Sequence, residues 1–203
     1  MLKATWRAAG ALGLAFVFAA SAAMAQAPTR IRGTIEKVDG STLSIKSREG
    51  QDLTLNLAPN ASVSAVIKAS LSDIKANTFV GIAAVSDGKG GWRALEVLIF
   101  PEAMRGTGEG DRPWDLVPES TMTNATVTDV ATKVDAHTLT LKYKEGEKTF
   151  TVPPETPIVT FAPGDKADLK VGAKVFVVAA MKQPDGTFQT ARINVGRGID
   201  PPM

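Results

Sequence analysis

Residues 42–50 read Thr-Leu-Ser-Ile-Lys-Ser-Arg-Glu-Gly, and residues 138–146 read Thr-Leu-Thr-Leu-Lys-Tyr-Lys-Glu-Gly. Thr, Leu, Lys, Glu and Gly recur in place at an offset of 96. Upstream, Thr34-Ile35 and Val38 match Thr126-Val127 and Val130 at an offset of 92, so the second copy has four extra residues in its first turn. Downstream, Leu71-Ser72-Asp73-Ile74-Lys75 parallels Lys166-Ala167-Asp168-Leu169-Lys170, and Phe79 to Val85 parallels Val175 to Met181. Trp92, Leu95, Val97 and Ile99 parallel Phe188, Ala191, Ile193 and Val195. The elements keep one order throughout, which is the mark of an internal duplication.

Within each copy the apolar residues alternate with polar ones. Leu43 and Ile45 alternate with Thr42, Ser44 and Lys46, and Leu53, Leu55 and Leu57 alternate with Thr54 and Asn56. In the second copy Leu139, Leu141 and Tyr143 alternate with Thr138, Thr140 and Lys142, and Phe150 and Val152 alternate with Thr149 and Thr151. A period of two gives a strand one buried and one wet face. Turns are expected at Asp39-Gly40, Glu49-Gly50, Asp87-Gly88, Glu145-Gly146 and Pro184-Asp185-Gly186. Ser70 or Ser72 in the first copy and Asp165 in the second can cap one short helical segment, and Gly172 can end the latter. The run Val175 to Ala180 is apolar at every position, which predicts a strand buried on both faces. Each copy thus predicts five strands with a short helix between the third and fourth. This all-β pattern suits two tandem OB-like barrels, which also remove exposed sheet edges.

The first 25 residues set the compartment. Lys3 and Arg7 precede an uncharged stretch from Ala8 to Ala25, and Ala23-Met24-Ala25 is a small-x-small cleavage site. This is the three-part secretory signal. The stretch is short and alanine-rich for a membrane anchor, so no stable span is expected after its removal. The signal takes with it two of the 23 basic residues and none of the 21 acidic ones, leaving a formal net charge of zero. A nucleic-acid partner is not expected at that balance. The chain has no cysteine and a single histidine, His137, which excludes disulfides, thiolate sites and multi-histidine metal centres within one chain.

The pattern Gly-Thr-Ile…Val-Asp-Gly…Thr-Leu-Ser-Ile, then Leu-Ser-Asp-Ile-Lys, then Trp-Arg-Ala-Leu-Glu-Val resembles a family of uncharacterised exported bacterial domains, often in tandem and OB-like. In the second copy it continues through Leu169-Lys170-Val171-Gly172 and Asp185-Gly186-Thr187-Phe188. The resemblance covers roughly 31–100 and 123–195. It rests on turn and core residues, so it implies a fold and brings no catalytic residues.

The expected organisation is a signal peptide over 1–25, a first domain over 26–100, a linker over 101–122, a second domain over 123–196 and a disordered tail over 197–203. The linker contains Trp114, which a plain spacer rarely spends. Trp114 and Leu116 are expected to dock it onto the barrels. A sharper reading makes it a binding loop, with Trp114 as an apolar platform and Arg105, Glu109, Asp111, Arg112 and Asp115 as hydrogen-bonding groups. Glu109, Asp111 and Asp115 could also offer oxygens to a divalent cation, but their spacing matches no known cation loop. No metal or other cofactor is expected.

Other constellations are weaker. Gly106 to Gly110 has the glycines of a phosphate loop without the Lys-Ser/Thr that follows one. No Gly-x-Ser-x-Gly elbow accompanies His137, which reads as a solvent-facing turn residue. Glu36, Asp73, Glu96 and Asp129 are acid–base candidates by residue type alone. Asn60-Ala61-Ser62 and Asn124-Ala125-Thr126 match the glycosylation pattern by coincidence. Lys142, Lys144 and Lys148 read as a solvated strip.

The expectation is a non-catalytic binding or adaptor protein of the cell envelope, with a glycan, peptide or protein as partner. It would bind on the Thr- and Lys-bearing wet faces and the linker. The alternatives are a hydrolase built on Glu109, Asp111 and Asp115, and a structural spacer. No motif bears on oligomeric state.

Overall fold

The computed structural model describes residues 27–132 and 137–201; the signal peptide expected over 1–25 lies outside the described residues, as do 26, 133–136 and 202–203. The strands are β1 (Thr29–Asp39), β2 (Thr42–Ser47), β3 (Asp52–Lys68), β4 (Phe79–Ser86), β5 (Trp92–Ile99), β6 (Gly110–Pro113), β7 (Thr121–Thr132), β8 (His137–Tyr143), β9 (Gly146–Val152), β10 (Ile158–Pro163), β11 (Lys174–Lys182) and β12 (Phe188–Gly196). The alternating rows place Leu43, Ile45, Leu55, Leu139, Leu141 and Phe150 in the interior, as their period requires.

β1, β2 and β3 pair in sequence, β3 pairs with β12 in parallel, and β12 returns through β11 to β1. This closes a five-stranded barrel. Its core draws Ile35, Leu43, Ile45 and Leu55 from the first copy and Val175, Val177, Ile193 and Val195 from the second. The strands β5, β4, β7, β8 and β9 pair in that order, and β9 reaches β5 again at Trp92–Phe150 and Arg93–Thr151. They surround a separate core of Val80, Ile82, Val97, Val127, Leu139 and Phe150. β10 bridges the two groups, antiparallel to β3 and parallel to β5.

The copies therefore exchange their last two strands, and neither 26–100 nor 123–196 closes a barrel from its own strands. The physical reason lies in β3. It was expected over Leu53 to Leu57 but runs on to Lys68, carrying the chain out of the first barrel before β4 begins. Pro59, which cannot donate to a ladder, sits where the pairing steps from Leu57–Thr190 to Ser62–Arg192, an irregularity that tolerates it. Alternation fixes which face of a strand is buried, not which of two similar partners it meets.

The segment 101–122 consequently lies between β5 and β7 of one sheet, and is not a spacer between two barrels. It holds a 3-10 turn (Glu102–Met104) and β6, which pairs with β7. The expected short helices are single 3-10 turns at Leu71–Asp73 and Lys166–Asp168, capped by Ser70 and Asp165 in reciprocal capping boxes. The tail packs as far as it is described: Arg197 bonds Asp168, Ile199 packs against the sheets and Pro201 is buried. His137 opens β8 and is half-buried.

Candidate functional site

On β5, Val97 and Ile99 face the core, so Glu96, Leu98 and Phe100 face the other way. Behind them lies a cavity of about 730 Å³ between the two groups of strands. One wall comes from β5 and β7 through Glu96, Leu98, Met122 and Asn124. The facing wall comes from β11 and β12 through Phe176, Val178, Arg192 and Asn194. β3 and β10 close one side with Val66, Val159 and Phe161, and Trp114 and Arg112 close another from the β5–β7 segment. A lining that is mostly apolar with a few convergent polar groups is what small-molecule sites present.

Glu96 is completely buried, and neither carboxyl oxygen has a hydrogen-bond partner among the described residues. Burial pushes its carboxyl well above the ordinary range, against the opposing charges of Arg32 and Arg48. Asn124 is buried too. Its Nδ2 donates to the Thr107 carbonyl at 2.9 Å, which fixes the amide orientation and leaves Oδ1 without a partner. Gly81 on the intervening β4 makes room for it: a Cβ there would lie 2.6 Å from Asn124 Oδ1 and 3.1 Å from the Phe100 ring. Such groups are costly to leave unsatisfied in a folded chain, by about 1–3 kcal/mol each.

The residues expected on the linker are dispersed. Arg112 and Trp114 line the cavity. Arg105 is turned to Glu102 and the Asn77 carbonyl, and Glu109 is exposed. Asp111 pairs with the buried Lys148 at 3.0 Å and accepts from Thr123. Asp115 pairs with Arg32 at 2.9 Å and Arg30 at 3.3 Å. Burial works to raise the Asp115 carboxyl, but the Arg32 hydrogen bond and the charges of Arg32 and Arg30 outweigh it and hold it low. The three carboxylates thus serve different partners. Among the described residues no cluster of three or more metal-ligating side chains forms.

Docking of the linker is visible in detail. The Arg30 guanidinium lies 3.9 Å from the centre of the Trp114 ring, a cation–π contact that presses the segment onto β1. Leu116 is half-buried. Lys148, expected in a solvated strip, is buried with its ammonium 3.4 Å from the Trp92 ring centre. Burial pulls its pKa down against the pull of Asp111. The expected double burial of the run 175–180 also fails, since Val178 is 51% exposed at the mouth of the cavity. Asn124, one of the two glycosylation matches, is inaccessible.

Sequence reading ranked Glu96 with other carboxylates and passed over Asn124 as a binding group. The usable signal was Glu96 itself, the single acid in the otherwise apolar stretch Ala94 to Phe100. No family model, curated protein or solved structure matches this chain.

Proposed function

We propose that this chain is an exported, non-catalytic binding protein of the bacterial cell envelope, a pair of OB-like barrels that holds a small ligand in the cavity between them. The observation that carries the reading is Glu96, a fully buried carboxyl without a partner, on the wall of a cavity of about 730 Å³. Unsatisfied buried polar atoms in native proteins call for a functional explanation. The signal-like residues 1–25 and the resemblance to exported tandem OB-like domains support the location. No helix among the described residues is long and apolar enough to cross a membrane.

Of the expected partner classes, the cavity suits a compact apolar molecule or a peptide side chain better than a glycan, whose hydroxyls would meet Leu98, Phe100 and Phe161. A hydrolase at Glu109, Asp111 and Asp115 draws no support from the geometry, because Asp111 and Asp115 are engaged in separate ion pairs.

The test is titration of the mature protein with N-phenyl-1-naphthylamine, a neutral apolar dye that fluoresces when desolvated. Saturable binding of one dye per chain is expected. Ala179→Trp, at an exposed position on the cavity wall, should reduce the affinity at least tenfold without changing the circular dichroism spectrum. Absence of saturable binding, or binding indifferent to this change, would defeat the proposal.

A further inference from the structure

We infer that the cavity selects a primary amine on an apolar body, the ammonium seated against Glu96. The inference rests on the binding reading above and deepens it. Glu96 and Asn124 line this one space and carry three buried oxygens without partners among the described residues, against one such donor on the same lining, Trp114 Nε1. All three can accept hydrogen bonds, while an ionised carboxylate and an oriented amide oxygen have no donor to give. An ammonium carries three donors and one positive charge, and so answers both deficits at once.

The sheet places the two residues diagonally on either side of β4. Glu96 lies opposite Ala83 on β4, and Ala83 lies opposite Met122 on β7; one step along, Leu98, Gly81 and Asn124 form the parallel row. β5 and β7 flank β4 and are thus about 10 Å apart. Between them stand the small residues Gly81 and Ala83, and the Asn124 amide and the Phe100 ring lie over Gly81. Leu98, Phe100, Val159 and Phe161 line the cavity beyond and fit an alkyl or aryl body.

Arg32 is matched by Asp115 at 2.9 Å, and Arg112 donates to the Gly108 carbonyl at 2.6 Å. Arg48 and Arg192 are exposed. The pull of Arg32 and Arg48 favours the ionised carboxylate, so they assist its ionisation when the ligand arrives. Burial favours the protonated form of Glu96, and a seated ammonium favours the carboxylate. Any proton given up on binding passes to solvent, and no other bond is made or broken.

The test is competition against the dye at neutral pH by three probes of equal body: 4-phenylbutylamine, 4-phenylbutan-1-ol and 4-phenylbutyrate. The amine is expected to displace the dye at least tenfold more effectively than the alcohol, and the carboxylate least. Glu96→Gln should bring amine and alcohol within about twofold while the dye still binds; should this variant not hold the dye, Glu96→Leu takes its place. Equal competition by amine and alcohol, preference for the carboxylate, or an amine preference that survives loss of Glu96 would overturn the inference and leave the cavity as a binding site. Failure of the dye itself to bind would instead defeat the underlying reading.

Discussion

The two walls of the cavity occupy corresponding places in the two groups of strands, and they are finished differently. Pairing makes Phe176 the counterpart of Gly81, one residue off the sequence match of 79–85 with 175–181, since Phe176 lies across from Arg32 and Asn194 while Gly81 lies across from Asn124 and Leu98. By the same register Arg192 stands where Glu96 does, and Val178 where Ala83 does. One wall is raised and cationic: Arg32 covers the Phe176 ring at 4.6 Å. The other is hollowed and acceptor-rich. The two faces match in strand register and differ in the side chains at a handful of positions. What distinguishes the walls is side-chain volume and charge on an unchanged backbone plan.

The largest effect should come from cutting the chain. Residues 70–157 contain β4 to β9 without interruption, whereas the closed barrel is assembled from two separated stretches. A fragment over 27–118, which holds the first repeat, should lack a cooperative thermal transition. A fragment over 70–157 should show one by circular dichroism. A cooperative 27–118 fragment would mean that a repeat can close on its own strands, and the matched-wall comparison would lose its basis.

Next come substitutions at the paired positions. Phe176→Ala should cost about 3–5 kcal/mol in urea denaturation, as for other buried aromatic residues. Gly81→Ala should also destabilise, by about 1–3 kcal/mol, because the added methyl meets Asn124 and the Phe100 ring. Equivalent sites would thus penalise opposite changes of volume. If Gly81→Ala were neutral, the hollow would not depend on the missing side chain.

An effect of opposite sign is expected at Glu96, where Leu should raise stability at neutral pH by about 1–3 kcal/mol by removing an unsatisfied buried group. Arg192→Leu, at the exposed counterpart, should stay within about 0.5 kcal/mol. The pH profile sharpens the contrast. The folded chain holds the Glu96 proton more tightly than the unfolded chain, whose carboxyl titrates near about 4.3. Its contribution to stability is therefore fully present below that pH and is lost as pH rises through the raised folded value. Glu96→Leu should abolish this decline and leave the acid-side loss set by Asp115, whose low folded pKa gives stability that disappears as pH falls. A profile unchanged by Glu96→Leu would show that Glu96 does not hold its proton in the folded state.

Much of this was legible in the residues. The strands, the turns and both capping residues follow from local pattern, because side-chain alternation and turn chemistry act within a few residues. Strand exchange is not local. β4 and β11 carry nearly the same apolar signal, so either could complete either three-strand sheet. The site escaped for a related reason. Leu98 and Phe100 look like ordinary strand residues, and only the packing of two sheets shows that their row, Glu96 included, faces a cavity and not water.

The exchange also fixes the path of mechanical load. β1 and β12, the first and last strands, belong to the same closed barrel, and β4 to β9 form an inserted loop of structure with both roots in β3 and β10. Tension applied between the two ends is borne by that barrel alone. Whatever the chain is tethered to, the hollowed wall that carries Glu96 rides outside the line of force.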